Sequence, residues 1–131
     1  MTEALKVRAG METDIVRLSP GDPIRQAVAA LVASGASAAP VVEADGALCG
    51  ILTEKDCFRS VLHASYYQEW RGTVSEHLSR NVVTIEASED MVRAAEVFLS
   101  LPHRVLPVLE DGKLAGMLNR SAVMAALLRE S

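Results

Sequence analysis

Ala38-Ala39-Pro40-Val41-Val42-Glu43, then Asp45-Gly46, then Leu48-Cys49-Gly50-Ile51-Leu52-Thr53-Glu54-Lys55-Asp56 is the stretch on which the fold turns. Two short apolar runs flank Asp45-Gly46, the dipeptide best suited to a tight hairpin, which predicts strands over 38–42 and 48–52. Beyond the second run a helix is expected over about 54–63.

The same hairpin is written twice. At a shift of 67 residues Pro40-Val41 falls on Pro107-Val108, and at a shift of 66 Asp45-Gly46 falls on Asp111-Gly112, Gly50 on Gly116 and Ile51-Leu52 on Met117-Leu118. Working outward, the first shift carries Ile15-Val16 onto Val82-Val83, Leu18 onto Ile85, Ala27 onto Ala94 and Leu31 onto Phe98. The second carries Val61-Leu62 onto Leu127-Leu128. A self-match at a fixed period marks a repeated supersecondary unit.

Within each copy the elements follow from spacing and punctuation. Residues 15–18 form a short apolar strand, and Asp22-Pro23 reads as a helix start, with Asp22 capping and Pro23 at the first helical position. Ile24, Ala27, Val28, Leu31 and Val32 recur at helical spacing up to Gly35. The second copy reads alike, with strands over 82–85, 105–109 and 114–118 and helices over about 89–100 and 120–129. Each copy is therefore β-α-β-β-α, an α/β (α+β) unit. A unit of roughly 50 residues buries too little surface to stand alone, so the copies are expected to share a core with pseudo-twofold symmetry.

Composition narrows the function. Half of the 131 residues are hydrophobic and only 4% are aromatic, so the core is expected to be built of small aliphatic side chains. A net charge of −4 without a basic run argues against nucleic acid, which needs clustered Lys and Arg. The first ten residues lack the apolar core of a secretory signal, and no apolar stretch is long enough for a membrane span, so a cytoplasmic protein is expected. Cys49 and Cys57 lie in apolar segments at a spacing that matches no zinc pattern, and they read as small core residues.

The doubled pattern of Pro-Val, acidic turn, Gly, apolar pair and Thr-x-x-Asp resembles the CBS (cystathionine β-synthase) domain signature, over about residues 6–129. Thr73-Val74-Ser75-Glu76-His77-Leu78 looks like the short helical segment that precedes a CBS repeat, and Lys6 to Met11 stands in the same register before the first copy. On this reading residues 1–65 are the first repeat with its lead-in, 66–72 a linker holding Tyr66, Tyr67 and Trp70, and 73–131 the second repeat. The linker aromatics are expected to cover a core edge or a dimer contact.

The resemblance implies a regulatory, energy-sensing pair of repeats that forms a homodimer, acts on an unidentified effector protein, and takes an adenosyl ligand (AMP, ADP, ATP or S-adenosylmethionine) between its repeats. By the family pattern the ligand residues are Ile51, Leu52, Thr53, Asp56, Val83, Arg104 and Arg120. The Asp56 carboxylate would accept from the 2′- and 3′-hydroxyls of a ribose, Thr53 and free backbone N–H groups would meet ribose or phosphate oxygens, and the two arginines would offer forked donors to phosphate. Without that resemblance Thr53-x-x-Asp56 reads as a helix capping box, and the two arginines as solvated charges. Where the first copy has Thr53-Glu54-Lys55-Asp56 the second has Asn119-Arg120-Ser121-Ala122, so the second cleft is expected to be weak or empty.

Catalysis finds no nucleophile set beside a base in the sequence, and no metal or cofactor motif appears. Two classes remain: a sensor of an adenosyl ligand, and a ligand-free dimerisation or interaction module in which Asp56 only caps a helix.

Overall fold

The computed structural model describes residues 5–131; residues 1–4, on which part of the reading of the N-terminus falls, lie outside the described residues. The chain divides into two compact units. The central one is Val16–Val82, and the terminal one joins Val83–Ser131 to the residues up to Ile15.

In the central unit α1 (Ile24–Ser34), β1 (Ala38–Val42), β2 (Leu48–Thr53) and α2 (Glu54–Tyr67) follow in order. Ile24, Ala27 and Leu31 bury one face of α1, which stops at Gly35, where φ is +72° and the N–H returns to the Leu31 carbonyl. The start of α1 departs from the expected cap. Pro23 is itself the N-cap, in an extended conformation with ψ 137°, so the helix begins one residue later. Asp22 instead accepts from the Ser19 N–H at 2.9 Å and closes the preceding turn.

The terminal unit holds β3 (Ile85–Glu86), α3 (Met91–Ser100), β4 (Val105–Glu110), β5 (Lys113–Asn119) and α4 (Arg120–Glu130). β3 runs parallel to β4, with Ile85 opposite Val108, and β4 runs antiparallel to β5. Central β1 and β2 pair in the same antiparallel way, and Leu18 forms a single parallel bridge to Val41 that matches the Ile85 pairing. The strands expected at 15–18 and 82–85 thus shrink to one bridged residue and to Ile85–Glu86. An apolar run supplies side chains for burial, but only these residues bring their backbone alongside a hairpin.

The one-residue difference between the two sequence shifts lies in the hairpin turns. Asp111 and Gly112 both adopt positive φ, 53° and 77°, and close β4–β5 as a two-residue turn. In the first copy the turn is longer: the Glu43 N–H bonds the Ala47 carbonyl at 2.8 Å, and positive φ falls on Gly46 alone.

The units cut across the sequence repeats. Val74 is buried in the central core, and the Val74 N–H reaches the Asp22 carbonyl at 2.9 Å. Val7, from the lead-in of the first copy, is buried in the terminal core, its N–H on the Glu89 carbonyl at 2.8 Å. Each lead-in therefore completes the core of the other copy. Where one shared core was expected, the buried side chains form two clusters, one around Ile24, Leu31, Val41, Leu52 and Val74, the other around Met91, Phe98, Leu106, Val108 and Leu118. Burying a side chain of this size contributes about 1.5–3 kcal/mol, and the borrowed lead-in valines extend both clusters.

After Val74 and Val7 the lead-ins cross the hairpins. Ser79 and Ile51 exchange two backbone hydrogen bonds of 2.8 and 2.9 Å, and Glu12 and Met117 do the same. A Cβ at Gly50 would collide with the Ser79 carbonyl, and one at Gly116 with the Glu12 carbonyl. Glycine before Ile51 and before Met117 is what admits the crossing chain.

Candidate functional site

The crossing brings Ser79 to the start of α2, where Thr53 and Asp56 stand. Thr53, extended at ψ 165°, is the N-cap, and its Oγ1 accepts from the Asp56 N–H at 3.2 Å. The Asp56 carboxylate returns the bond through Oδ2, which accepts from the Thr53 N–H at 3.0 Å and the Thr53 hydroxyl at 2.9 Å. Ser79 adds its hydroxyl to the same oxygen at 3.2 Å. The capping box is therefore real, and it uses one carboxylate oxygen. Oδ2 is saturated by three donors, and among the described residues every hydrogen bond that Asp56 makes through its carboxylate falls on it.

Among the described residues Oδ1 has no hydrogen-bond donor. The half-buried carboxylate is thus fixed in orientation at the N-terminus of α2. A bidentate grip on a diol through both oxygens, as the resemblance implies, would require one donor on Oδ2 to yield.

Of the other residues named from the sequence, Ile51 and Leu52 lie beside this group on β2. Ile51 is half-buried, whereas the Leu52 side chain is fully buried in the core and leaves only its backbone for a ligand. Val83, Arg104 and Arg120 belong to the terminal unit. Arg104 is exposed, and its carbonyl accepts from the Arg120 N–H at 3.1 Å. The Arg120 guanidinium is engaged locally, donating from Nε to the His103 carbonyl at 2.7 Å and from Nη2 to the Pro102 carbonyl at 2.8 Å, and among the described residues Nη1 has no acceptor. Val83 is exposed at the first position of its stretch and hydrogen-bonds neither arginine.

In the second copy Asn119 caps α4, its Oδ1 accepting from the Ala122 N–H at 2.8 Å. Its amide nitrogen lies 3.4 Å from Glu12 Oε1. Glu12 occupies the lead-in position that Ser79 holds in the first copy. The carboxylate missing at Ala122 thus has a counterpart on the crossing strand.

Ser79 and Glu12 are the residues that sequence reasoning missed. They match each other at the first repeat shift, which was legible, but nothing local tells that a lead-in crosses the hairpin of the other copy.

The aromatic linker is split. α2 runs on through Tyr66 and Tyr67, both exposed, and ends at Gln68 in a left-handed conformation, φ 56°. Trp70 packs against the central core. A Ser–His contact does occur, Ser60 Oγ to His77 Nδ1 at 3.4 Å, but Ser60 is buried on α2 and His77 Nε2 is tied to the Arg71 carbonyl at 3.1 Å. Its geometry braces α2 against the lead-in. Cys57 sits in the central core, and Cys49 points its thiol at Glu43 Oε1 at 3.1 Å. Burial pushes both thiols up to about 11, with Glu43 adding to the shift at Cys49 and Asp56 at Cys57. Among the described residues no group of three His, Cys, Asp or Glu side chains gathers as a metal would need, and no helix is long and apolar enough to cross a membrane.

Comparison with known proteins bears on this arrangement. The family model described as the CBS domain matches residues 5–63 and 74–129. The uncharacterised protein MJ1225 of Methanocaldococcus jannaschii is 25% identical over 112 residues, which is 86% of this chain and 39% of that protein. The chain spans well under half the length of the first curated relatives it matches. Among solved structures, CBSX2 of Arabidopsis thaliana in complex with AMP is 24% identical, with a TM-score of 0.81 over 95% of this chain and 97% of that one. The CBS domain pair of protein MJ0100, in complex with 5′-methylthioadenosine and S-adenosyl-L-methionine, is 19% identical, with a TM-score of 0.77 over 98% of this chain and 100% of that one. At these identities the two structures share the fold.

Proposed function

Because this chain belongs to the CBS domain family, as a tandem pair of repeats matched over residues 5–63 and 74–129, we propose that it is a cytoplasmic regulatory module that binds an adenosine-containing ligand and modulates a partner protein. AMP, ADP, ATP and S-adenosylmethionine are the ligands in view. The observation that carries the reading is the Asp56 carboxylate, held by three donors on Oδ2 with Oδ1 left to accept. A ribose hydroxyl is the donor proposed for Oδ1, with Thr53 and the backbone of Ile51 and Leu52 beside it. Arg104, Arg120 and Val83 are proposed for the phosphate and adenine. The AMP complex of CBSX2 and the S-adenosylmethionine complex of the MJ0100 pair set the ligand class to test.

The module is proposed to regulate rather than to catalyse, and to do so as a homodimer. Support for the dimer lies in the helix faces. Val32, Phe58 and Leu62 are exposed on α1 and α2 at 78%, 65% and 54%, and their repeat counterparts Leu99, Met124 and Leu128 are exposed on α3 and α4 at 90%, 65% and 75%. The same three positions are apolar and uncovered in both copies, a pattern that suits an interface better than scattered surface residues.

A melting-temperature panel of AMP, ADP, ATP, S-adenosylmethionine and NAD tests the ligand. A ligand at a hundredfold excess over Kd stabilises the folded state by about 2.7 kcal/mol, a plain upward shift. An unmoved transition with every compound at millimolar concentration would favour the second reading, a ligand-free dimerisation or interaction module. That reading draws on the capping box itself, which gives Asp56 a structural role.

A further inference from the structure

Asp56 Oδ2 carries more donors than it can serve equally. A carboxylate oxygen offers about two lone-pair sites. Three donors converge on this one: the Thr53 hydroxyl at 2.9 Å, the Thr53 N–H at 3.0 Å and the Ser79 hydroxyl at 3.2 Å. They are not held alike. Both Thr53 donors belong to the capping box of α2, and the Thr53 hydroxyl is fixed at its other end, where its oxygen accepts from the Asp56 N–H at 3.2 Å. Withdrawing either one opens the helix start. Ser79 stands on the crossing lead-in of the same central unit, half-buried, its backbone tied to Ile51 by two hydrogen bonds of 2.8 and 2.9 Å. Its hydroxyl makes the longest of the three bonds to Oδ2 and, among the described residues, makes no other. Turning that hydroxyl away moves a single side-chain torsion and leaves both the helix cap and the backbone crossing intact.

We infer that the Ser79 hydroxyl is the donor that yields when a ribose binds, so that Ser79 sets how strongly the Asp56 site prefers a ribose diol to a single hydroxyl. This role rests on the adenosyl-ligand reading and deepens it with a residue that controls specificity. The 2′- and 3′-hydroxyls of a ribose stand side by side and match the two oxygens of one carboxylate. One of them takes Oδ1, which has no donor among the described residues, and the other must enter Oδ2, where a donor is already in place. A 2′-deoxyribose offers only its 3′-hydroxyl, which Oδ1 accepts without disturbing Oδ2. The Ser79 bond is therefore lost on binding the diol and kept on binding the deoxy sugar. Removing the Ser79 hydroxyl relieves the diol of that competition and changes nothing for the deoxy sugar.

Titration calorimetry of the wild type and Ser79→Ala with AMP and with S-adenosylmethionine, each beside its 2′-deoxy analogue, tests this role. Ser79→Ala should bind the ribose form about three- to tenfold more tightly than the wild type does, the reach of one intramolecular hydrogen bond, and the deoxy form equally well. Ser79→Thr, which keeps the hydroxyl, should hold the wild-type ratio of the two affinities. A merely structural role for Ser79 would move both forms alike, so an unchanged ratio in Ser79→Ala overturns the inference. Weaker binding of the ribose form in that variant overturns it too, because Ser79 would then assist the diol rather than compete with it. A wild type that gives no heat with any of these compounds at millimolar concentration refutes the adenosyl reading itself, and the role of Ser79 with it, before any substitution is made.

Discussion

The Ser79 hydroxyl donates to Asp56 Oδ2 at 3.2 Å, joining the lead-in of the second repeat to the helix start of the first. The contact adds a third donor to the capping box of α2, beside the Thr53 N–H and hydroxyl. The box holds one carboxylate oxygen, and the proposed ligand role falls to the other.

Thr53→Ala and Asp56→Ala should each lower the unliganded stability by about 1 kcal/mol in urea, because each removes one half of the box. Their effects on adenosyl binding should differ. Thr53→Ala leaves the carboxylate in place and should reduce affinity far less than Asp56→Ala does. Equal losses of affinity in the two variants would reduce the role of Asp56 to capping.

The glycines at the crossings predict a second stability effect. Gly50→Ala or Gly116→Ala sets a methyl group against the backbone carbonyl of Ser79 or Glu12, where neither strand can yield without breaking two hydrogen bonds. Each should cost roughly 1–3 kcal/mol, as overpacking does, measured by urea unfolding. A neutral substitution would mean that the lead-in does not lie where it is described.

Much of this was legible in the sequence, and the part that was not has a physical cause. The hairpins, the α1 and α3 cores and the Asn119 substitution in the second copy follow from local patterns: alternation, helical spacing, turn dipeptides. Ser79 meets Asp56 through a crossing whose only local trace is Gly50, and a lone glycine in a strand has several explanations. Asp22 looked like a cap and closes a turn because Pro23 stays extended. Helix α2 outran its expected end near His63 because Ala64 continues its buried face and Gln68, not a glycine, takes the left-handed cap.

The thiols give a pH prediction. Both folded-state values are raised from 9.0 to about 11, so the folded chain keeps protons on Cys49 and Cys57 that the unfolded chain releases. The resulting stability is fully present below pH 9 and is lost as pH rises from 9 towards 11. Urea midpoints should fall over that interval, and Cys57→Ala should flatten the fall even though it costs stability at neutral pH. An unchanged slope in that variant would contradict the assignment to Cys57.

The second copy can be probed by restoring its pattern. Ala122→Asp alone would place a carboxylate beside that of Glu12, where the first copy sets a serine beside Asp56, and like charges oppose. Ala122→Asp should therefore add no adenosyl site by calorimetry, whereas Glu12→Ser combined with Ala122→Asp should raise the stoichiometry. Gain of a site from Ala122→Asp alone would show that Glu12 stands clear of the ligand.

Titration calorimetry of the wild type and Asp56→Asn with AMP and with S-adenosylmethionine tests the central claim most directly. The substitution keeps the shape of the side chain and removes the charge that would accept from the ribose, a loss of roughly 1.5–3 kcal/mol, or about ten- to a hundredfold in affinity. The account predicts saturable binding of at least one of the two ligands by the wild type and that loss in Asp56→Asn. Equal affinity in both chains, or no heat from either ligand at millimolar concentration, would contradict it.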